Sequence, residues 1–285
     1  MAEIEKVGVI GAGTMGSGIA HVFARAGYHV HLCDVEQRFL DRAMSQIAAN
    51  LAREAAKGKL RESEIDQVLS RISPTADREW LAEADFAIEA ASERFEIKAE
   101  IFHALDRILP EYAVLATNTS SISITKLAAQ THRPAQVIGM HFFNPVPVMP
   151  LVEIVRGLAT GDAAYATVHD LALKLDKTPV AVNDAPGFVS NRVLMPLINE
   201  AAYAIMEGVA TPQAVDDVFK LGMAHPMGPL TLADFIGLDV CVDIMRVMAE
   251  GLGNAKYSPC PLLVRMVDAG WMGRKSGRGF YTYEK

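Results

Sequence analysis

The stretch VGVIGAGTMGSGIAHVFARAG, Val7 to Gly27, restricts the possible folds more than any other part of the chain. A β-rich run, Val7 to Ile10, meets a glycine turn, Gly11-Ala12-Gly13-Thr14-Met15-Gly16, and the turn opens into helical spacing. Ile19, Val22, Phe23 and Ala26 share one helical face, and Gly27 is placed to stop the helix. A second strand-like run, His29 to Asp34, ends on an acid. Strand, G-x-G-x-x-G, helix, strand and acid in this order form the pattern of a dinucleotide-binding unit; a purely structural glycine turn is the weaker alternative. Gly11 permits the tight turn, Gly13 lets backbone N–H groups approach a pyrophosphate, and Gly16 lets helix and strand pack closely. Thr14 and Met15 then open a helix whose N-terminal dipole and unpaired N–H groups favour an anion. Asp34 would accept hydrogen bonds from the adenine ribose and repel a 2′-phosphate, which favours NAD over NADP. Arg38, close in sequence, leaves that preference open.

Further short apolar runs end at Ala91, Thr117, His141, Val155 and Val182, with helical segments such as Phe95 to Leu109 and Ser123 to Gln130 between several of them. This alternation predicts an α/β fold of the Rossmann type, a doubly wound and mainly parallel sheet. From about Gln37 to Arg71 the spacing is helical with a break at Gly58, which predicts a helical hairpin leaving the sheet. Arg53, Lys57, Lys59 and Arg61 gather near its turn, as a solvated helix end or as a patch for a ligand's phosphates. After Asp184-Ala185-Pro186-Gly187-Phe188 only long helical periodicities follow, and Asp184 is placed to cap a helix with Pro186 in its first turn. The expected organisation is residues 1–183 as a dinucleotide-binding domain and 184–285 as an all-helical domain.

Composition narrows the partners. The 285 residues carry a net charge of −7 with no basic block, which argues against nucleic acid as the main partner. Cys33, Cys241 and Cys260 are too far apart for a disulfide framework or a zinc knuckle, so no metal is expected. The N-terminal MAEIEKVGVIGAG shows no signal-peptide pattern, and no apolar run reaches the roughly 18 residues of a membrane span. A cytoplasmic protein without a membrane partner is the expectation.

Chemistry concentrates in GMHFFNPVPVMPLVEIV, Gly139 to Val155. His141 ends an apolar run, and ligands gather at the carboxyl ends of strands in an open α/β sheet. An imidazole, with an unperturbed pKa of about 6.5, suits removal of a proton from an alcohol while hydride leaves the same carbon. The imidazolium formed needs a counter-charge. Glu153 can supply it if the Pro-rich loop Phe142 to Pro150 turns the chain back. A satisfied buried histidine beside an edge-strand glutamate fits these residues equally.

The motifs GAGTMGSGIA, EAASE, NTSS, HFFNPVPVMPLVEIV, DAPGFVSNR, HPMGP and GRKSGRGFY, spread from residue 8 to residue 281, resemble those of the L-3-hydroxyacyl-CoA dehydrogenases, the bacterial 3-hydroxybutyryl-CoA enzymes above all. The resemblance implies that His141 is the general base, Glu153 its partner, and that Ser120 and Asn191 bond the reacting oxygen. Read from position alone, Ser120 could instead cap the helix after Ser123, and Asn191 could be a packed polar group. Glu93, Lys98, Asn118, Asn144 and Lys275 match family positions near the nicotinamide half of the cofactor, although Glu93 and Lys98 could equally form a surface ion pair. Asn50 and Lys57 match positions that meet the CoA nucleotide. The implied function is NAD-dependent, reversible oxidation of an (S)-3-hydroxyacyl-CoA by a homodimer that pairs through its C-terminal domain. A different acyl group, such as 3-hydroxyadipyl, and a non-catalytic dinucleotide-binding protein are the alternatives.

Overall fold

The computed structural model describes residues 4–284. Eight strands form one sheet in the order β3-β2-β1-β4-β5-β6-β7-β8. They are β1 Lys6–Ile10, β2 His29–Cys33, β3 Ile72–Thr75, β4 Phe86–Glu89, β5 Val114–Thr117, β6 Val137–Phe142, β7 Leu151–Arg156 and β8 Thr178–Asn183. Every residue of β4, β5 and β6 is buried. Strands covered on both faces take continuous apolar sequence, as these do. All neighbours run parallel except β6 and β7, which are antiparallel. The chain winds outward from β1 to β3, then returns to lay β4 on the other side of β1. That reversal opens a crevice above the carboxyl ends of β1 and β4.

Helix α1 (Thr14–Arg25) follows the glycine turn and buries Ile19, Val22 and Phe23. Phe23 meets Tyr28 edge-on at 5.5 Å and Phe86 at 6.0 Å. The helix ends as its sequence predicts. Gly27 takes φ 103°, and its N–H bonds Ala24 O while Tyr28 N–H bonds Phe23 O. These two reversed bonds satisfy carbonyls that a helix end leaves open. Helix α2 (Gln37–Ala56) buries Leu40, Ala43, Ile47 and Leu51, three or four residues apart, and keeps its other face polar.

Three local expectations need correction. The predicted helical hairpin has very unequal arms: after α2 come only a 3₁₀ turn, Glu62–Glu64, and a five-residue helix, α3 (Ile65–Leu69). The strand β3 was not anticipated. Its sequence, Ile-Ser-Pro-Thr, has one apolar residue and a proline; only its edge position beside β2 makes it a strand. Asp184 does not start the following helix. Gly187 and Phe188 both hold positive φ, 81° and 46°, which breaks a helix there. The Asp184 carboxylate instead accepts from Ser123 Oγ and Thr125 N–H, both at 2.8 Å. It thereby caps α5 (Ile124–Ala128), a task Ser123 shares through Lys126 N–H, and Ser120 plays no such part. Helices α4 (Phe95–Ile108) and α6 (Asp162–Lys174) complete the layers.

The chain divides into two compact units after Asp184. The second is helical: α7 Ser190–Met206, α8 Pro212–Asp217, α9 Pro229–Ile236, α10 Leu238–Leu252 and α11 Pro261–Asp268. Its core joins Met195, Ile198, Leu238, Val242, Met245, Met248 and Leu263. Among the described residues, no helix is long and apolar enough to cross a membrane.

Candidate active site

The glycine turn is built as a cradle. Gly11 has φ 102°, and a Cβ there would stand 2.7 Å from Ala90 O. A Cβ on Gly16 would lie 1.7 Å from Gly11 O, an impossible contact, so the close helix–strand approach demands glycine. Gly13, by contrast, faces open space, and as the residue preceding α1 it offers no side-chain cap to the first N–H groups. A phosphate can take those hydrogen bonds. The Asp34 carboxylate receives Ala12 N–H at 2.7 Å, which ties the turn to the end of β2. A cleft of about 590 Å³ runs over this region, lined by Gly11, Gly13, Thr14, Met15, Asp34, Phe39, Arg78, Ala90, Ala91, Ser92 and Ile97. Its acid, its bare helix end and its apolar walls fit NAD. Arg38 is not on the lining; it pairs with Glu36 at 2.6 Å and lies over the Phe39 ring. Cys33 does line the cleft, and burial pushes its thiol up to about 11, so it stays protonated at neutral pH.

Beside the cleft, at the carboxyl ends of β4 and β5, lies a charge cluster. Lys98 is 1 % exposed, so its pairing is no surface ion pair. Its ammonium donates to both oxygens of Glu89, at 2.7 and 2.9 Å, and lies 3.2 Å from Glu93 Oε2. Glu89, itself fully buried, also accepts from Thr117 Oγ1 at 2.7 Å and Ala91 N–H at 2.6 Å. The partly exposed Glu93 holds the loop after β5: its Oε1 accepts Thr119 Oγ1, Ser120 N–H and Ser121 N–H. Burial works against this carboxylate, but Lys98 and the loop donors outweigh it and hold Glu93 below its ordinary value. Asn118 Oδ1 accepts Phe142 N–H at 2.9 Å, which fastens the same loop to β6 one residue beyond His141.

His141 stands directly across from Glu153 in the antiparallel register of β6 and β7. Its Nδ1 is 2.8 Å from Glu153 Oε2, and both residues are buried. An ionised carboxylate can only accept, so Nδ1 is the nitrogen that donates toward Glu153. The Phe143 ring lies 4.7 Å from the imidazole and shields one side of it. Residues directly opposite one another in an antiparallel pair project to the same sheet face, so the reversal of the chain between β6 and β7 brings both side chains together.

A second cleft, about 450 Å³, adjoins the turn and is lined by Thr14, Arg42, Gln46, Asn50, Arg53 and Asn144. The four α2 residues recur at helical spacing. Asn50 Oδ1 accepts from Gln46 and Arg53, at 3.1 and 2.6 Å. Lys57, exposed at the end of α2, does not line this cleft, and Arg61 bonds Glu64 instead, so the basic group foreseen near the hairpin turn disperses. In the C-terminal unit, Asn191 is the second residue of α7, and the Lys275 ammonium bonds Asp239 at 2.6 Å. Sequence reasoning passed over Arg78, which follows the unforeseen β3, and Glu89, which lies inside the apolar run that ends at Ala91.

A switch-point crevice, an anion-binding turn and an imidazole–carboxylate pair together define a nicotinamide-dependent dehydrogenase. Residues 6–185 match the family described as 3-hydroxyacyl-CoA dehydrogenase, NAD binding domain, and residues 187–283 match 3-hydroxyacyl-CoA dehydrogenase, C-terminal domain. The chain belongs to the 3-hydroxyacyl-CoA dehydrogenase family and is an NAD-dependent oxidoreductase. It is 56 % identical over 283 residues, 99 % of each chain, to a probable 3-hydroxybutyryl-CoA dehydrogenase of Bacillus subtilis. A 3-hydroxyadipyl-CoA dehydrogenase of Escherichia coli is 42 % identical, over 99 % of this chain and 60 % of that one. The crystal structure of (S)-3-hydroxybutyryl-CoA dehydrogenase from Ralstonia eutropha superposes with a TM-score of 0.97 at 46 % identity, covering 99 % of this chain and 100 % of the other.

Proposed function

We propose that the protein catalyses reversible oxidation of (S)-3-hydroxybutyryl-CoA to its 3-keto form, with His141 as general base. The observation that carries this reading is the buried 2.8 Å contact between His141 Nδ1 and Glu153, near the carboxyl end of β6. His141 Nε2 takes the hydroxyl proton, and the Glu153 carboxylate stabilises the imidazolium that results. Bound NAD supplies the hydride acceptor. Gly11, Gly13, Thr14, Met15, Gly16 and Asp34 would hold it, and Glu93, Lys98, Asn118 and Asn144 are assigned to its nicotinamide half on their motifs. In the reverse direction protonated His141 gives its proton back to the ketone oxygen. Ser120 and Asn191 are assigned to the reacting oxygen, and Lys275 to the cofactor, on their motifs alone. Asn50, on the wall of the second cleft, and Lys57 at the end of α2 are assigned to the CoA nucleotide, whose binding energy orients the distant reacting carbon.

The relatives' names support the four-carbon acyl group, and the Escherichia coli relative supports a carboxylated one as the second reading. A panel of short, long and carboxylated 3-ketoacyl-CoAs, followed by NADH loss, separates them. In the same assay His141→Gln should lower turnover about 10²- to 10⁴-fold. Near-normal turnover in the folded variant would remove the base assignment. Exposed apolar side chains of the C-terminal unit, among them Val193 at 66 % and Leu221 at 85 %, favour a homodimer through that unit. Cys33, Cys241 and Cys260 are all free, in keeping with a reducing cytoplasm.

A further inference from the structure

Lys98 and Glu93 by themselves would make a neutral pair sufficient to hold the loop after β5. The chain buries a second carboxylate, Glu89, against the same ammonium. Desolvating an extra charge is costly, and the two Glu89 oxygens are used separately, Oε1 by Ala91 N–H and Oε2 by the Thr117 hydroxyl. Two carboxylates and one ammonium leave the cluster with one net negative charge. That charge lies one hydrogen bond behind the cofactor cleft, because Ala91, whose N–H bonds Glu89 Oε1 at 2.6 Å, is itself part of the cleft wall.

The topology fixes which half of a dinucleotide meets it. With the pyrophosphate at α1 and the adenosine by Asp34 at β2, the other half must extend over β4, β5 and β6. The oxidised nicotinamide ring carries a positive charge that the reduced ring lacks. We propose that the Glu89–Lys98–Glu93 cluster selects oxidised over reduced cofactor by its net negative charge, with Glu89 as the residue that sets the balance. The inference rests on the reading of the cleft as the NAD site. Glu89 touches neither substrate nor cofactor and is a positioning residue.

The test is equilibrium binding of NAD⁺ and of NADH to the whole chain, by calorimetry and without acyl-CoA. Glu89→Gln keeps the shape, removes the charge and gives up one of the two bonds accepted from Ala91 and Thr117, a loss for which Thr117→Val is the control. A unit charge about 10 Å away at an effective dielectric of about 20 corresponds to roughly a tenfold change in affinity. The Kd for NAD⁺ should therefore rise roughly tenfold while that for NADH stays within about twofold. Thr117→Val removes a neutral donor to the same carboxylate and should leave the ratio of the two constants unchanged. Equal weakening of both nucleotides by Glu89→Gln, an unaltered ratio, or the same shift in Thr117→Val would overturn the proposal. Should Glu89→Gln fail to fold, Glu93→Gln must raise the ratio in the same direction, and an unmoved ratio there overturns it too. Wild-type protein that binds neither nucleotide would instead defeat the cofactor reading itself.

Discussion

Both units bury carboxylates, and they satisfy them in different ways. In the C-terminal unit Asp216 accepts Leu230 N–H, Thr231 N–H and the Tyr281 hydroxyl, while Asp234 accepts Phe280 N–H, Tyr281 N–H and the Tyr283 hydroxyl. Their partners are backbone amides and neutral hydroxyls, and the bonds pin the chain after Gly279 onto α8 and α9. In the N-terminal unit Glu89 and Glu93 face an ammonium and Glu153 faces an imidazole. Acids bonded to fixed donors serve as fasteners; acids set against groups that carry or exchange a charge sit where chemistry is done. The two kinds are distinguished by partner, since Glu89, Glu153, Asp216 and Asp234 are all at most 3 % exposed.

Substitutions can break this contrast. The largest effect belongs to the cradle: Gly16→Ala, which drives a Cβ into Gly11 O, should abolish measurable NADH binding in a fluorescence titration. Retained binding would show that the turn is looser than its geometry. Glu153→Gln should lower turnover about 10²-fold and alter the pH–rate profile, with a denaturation midpoint close to the unsubstituted protein. An unchanged profile would make Glu153 a fastener like the aspartates. Asp234→Ala should act the other way, costing about 3 kcal/mol of stability in the denaturation curve because three donors lose their acceptor.

The smallest effect is in pH dependence, and it has opposite signs in the two units. Glu93 is held below its ordinary value, so its stabilisation is present above about pH 4.5 and is lost as pH falls through the lower folded value. Asp234 is pushed up, by burial first and by the neighbouring Asp216 charge, over the bonds that favour its ionised form. Its contribution is therefore present below about pH 3.8 and is lost as pH rises through the higher folded value. Between about pH 3 and 6, Glu93→Gln should reduce the rise of melting temperature with pH, and Asp234→Asn should steepen it. Shifts in the same direction would erase the distinction between the two sets of acids.

Much of the N-terminal architecture was legible because its signals are local. Gly16 of the G-x-G-x-x-G turn requires glycine because of the Gly11 carbonyl five residues before it, and the run Val137 to Met140 is apolar because both faces of its strand are covered. The Gly27 stop is equally local. What escaped is non-local: Ile72–Thr75 is a strand only because β2 offers it an edge, and Asp184 serves α5, some 60 residues earlier, because Gly187 and Phe188 deny it a helix of its own. For Lys98 a surface pair with Glu93 stayed open beside the cofactor position, since five residues of spacing cannot say whether a lysine faces water or a sheet.

By itself the sequence determined the order of strand, glycine turn, helix and acid, and hence the dinucleotide cradle and the sheet around it. It also named the imidazole and the carboxylate. Only the tertiary structure decided that His141 and Glu153 stand opposite one another, that Lys98 is buried, and that Glu89 lies behind the cofactor cleft. Backbone geometry is a short-range property written in neighbouring residues, whereas burial and charge pairing depend on which distant strands the fold places side by side.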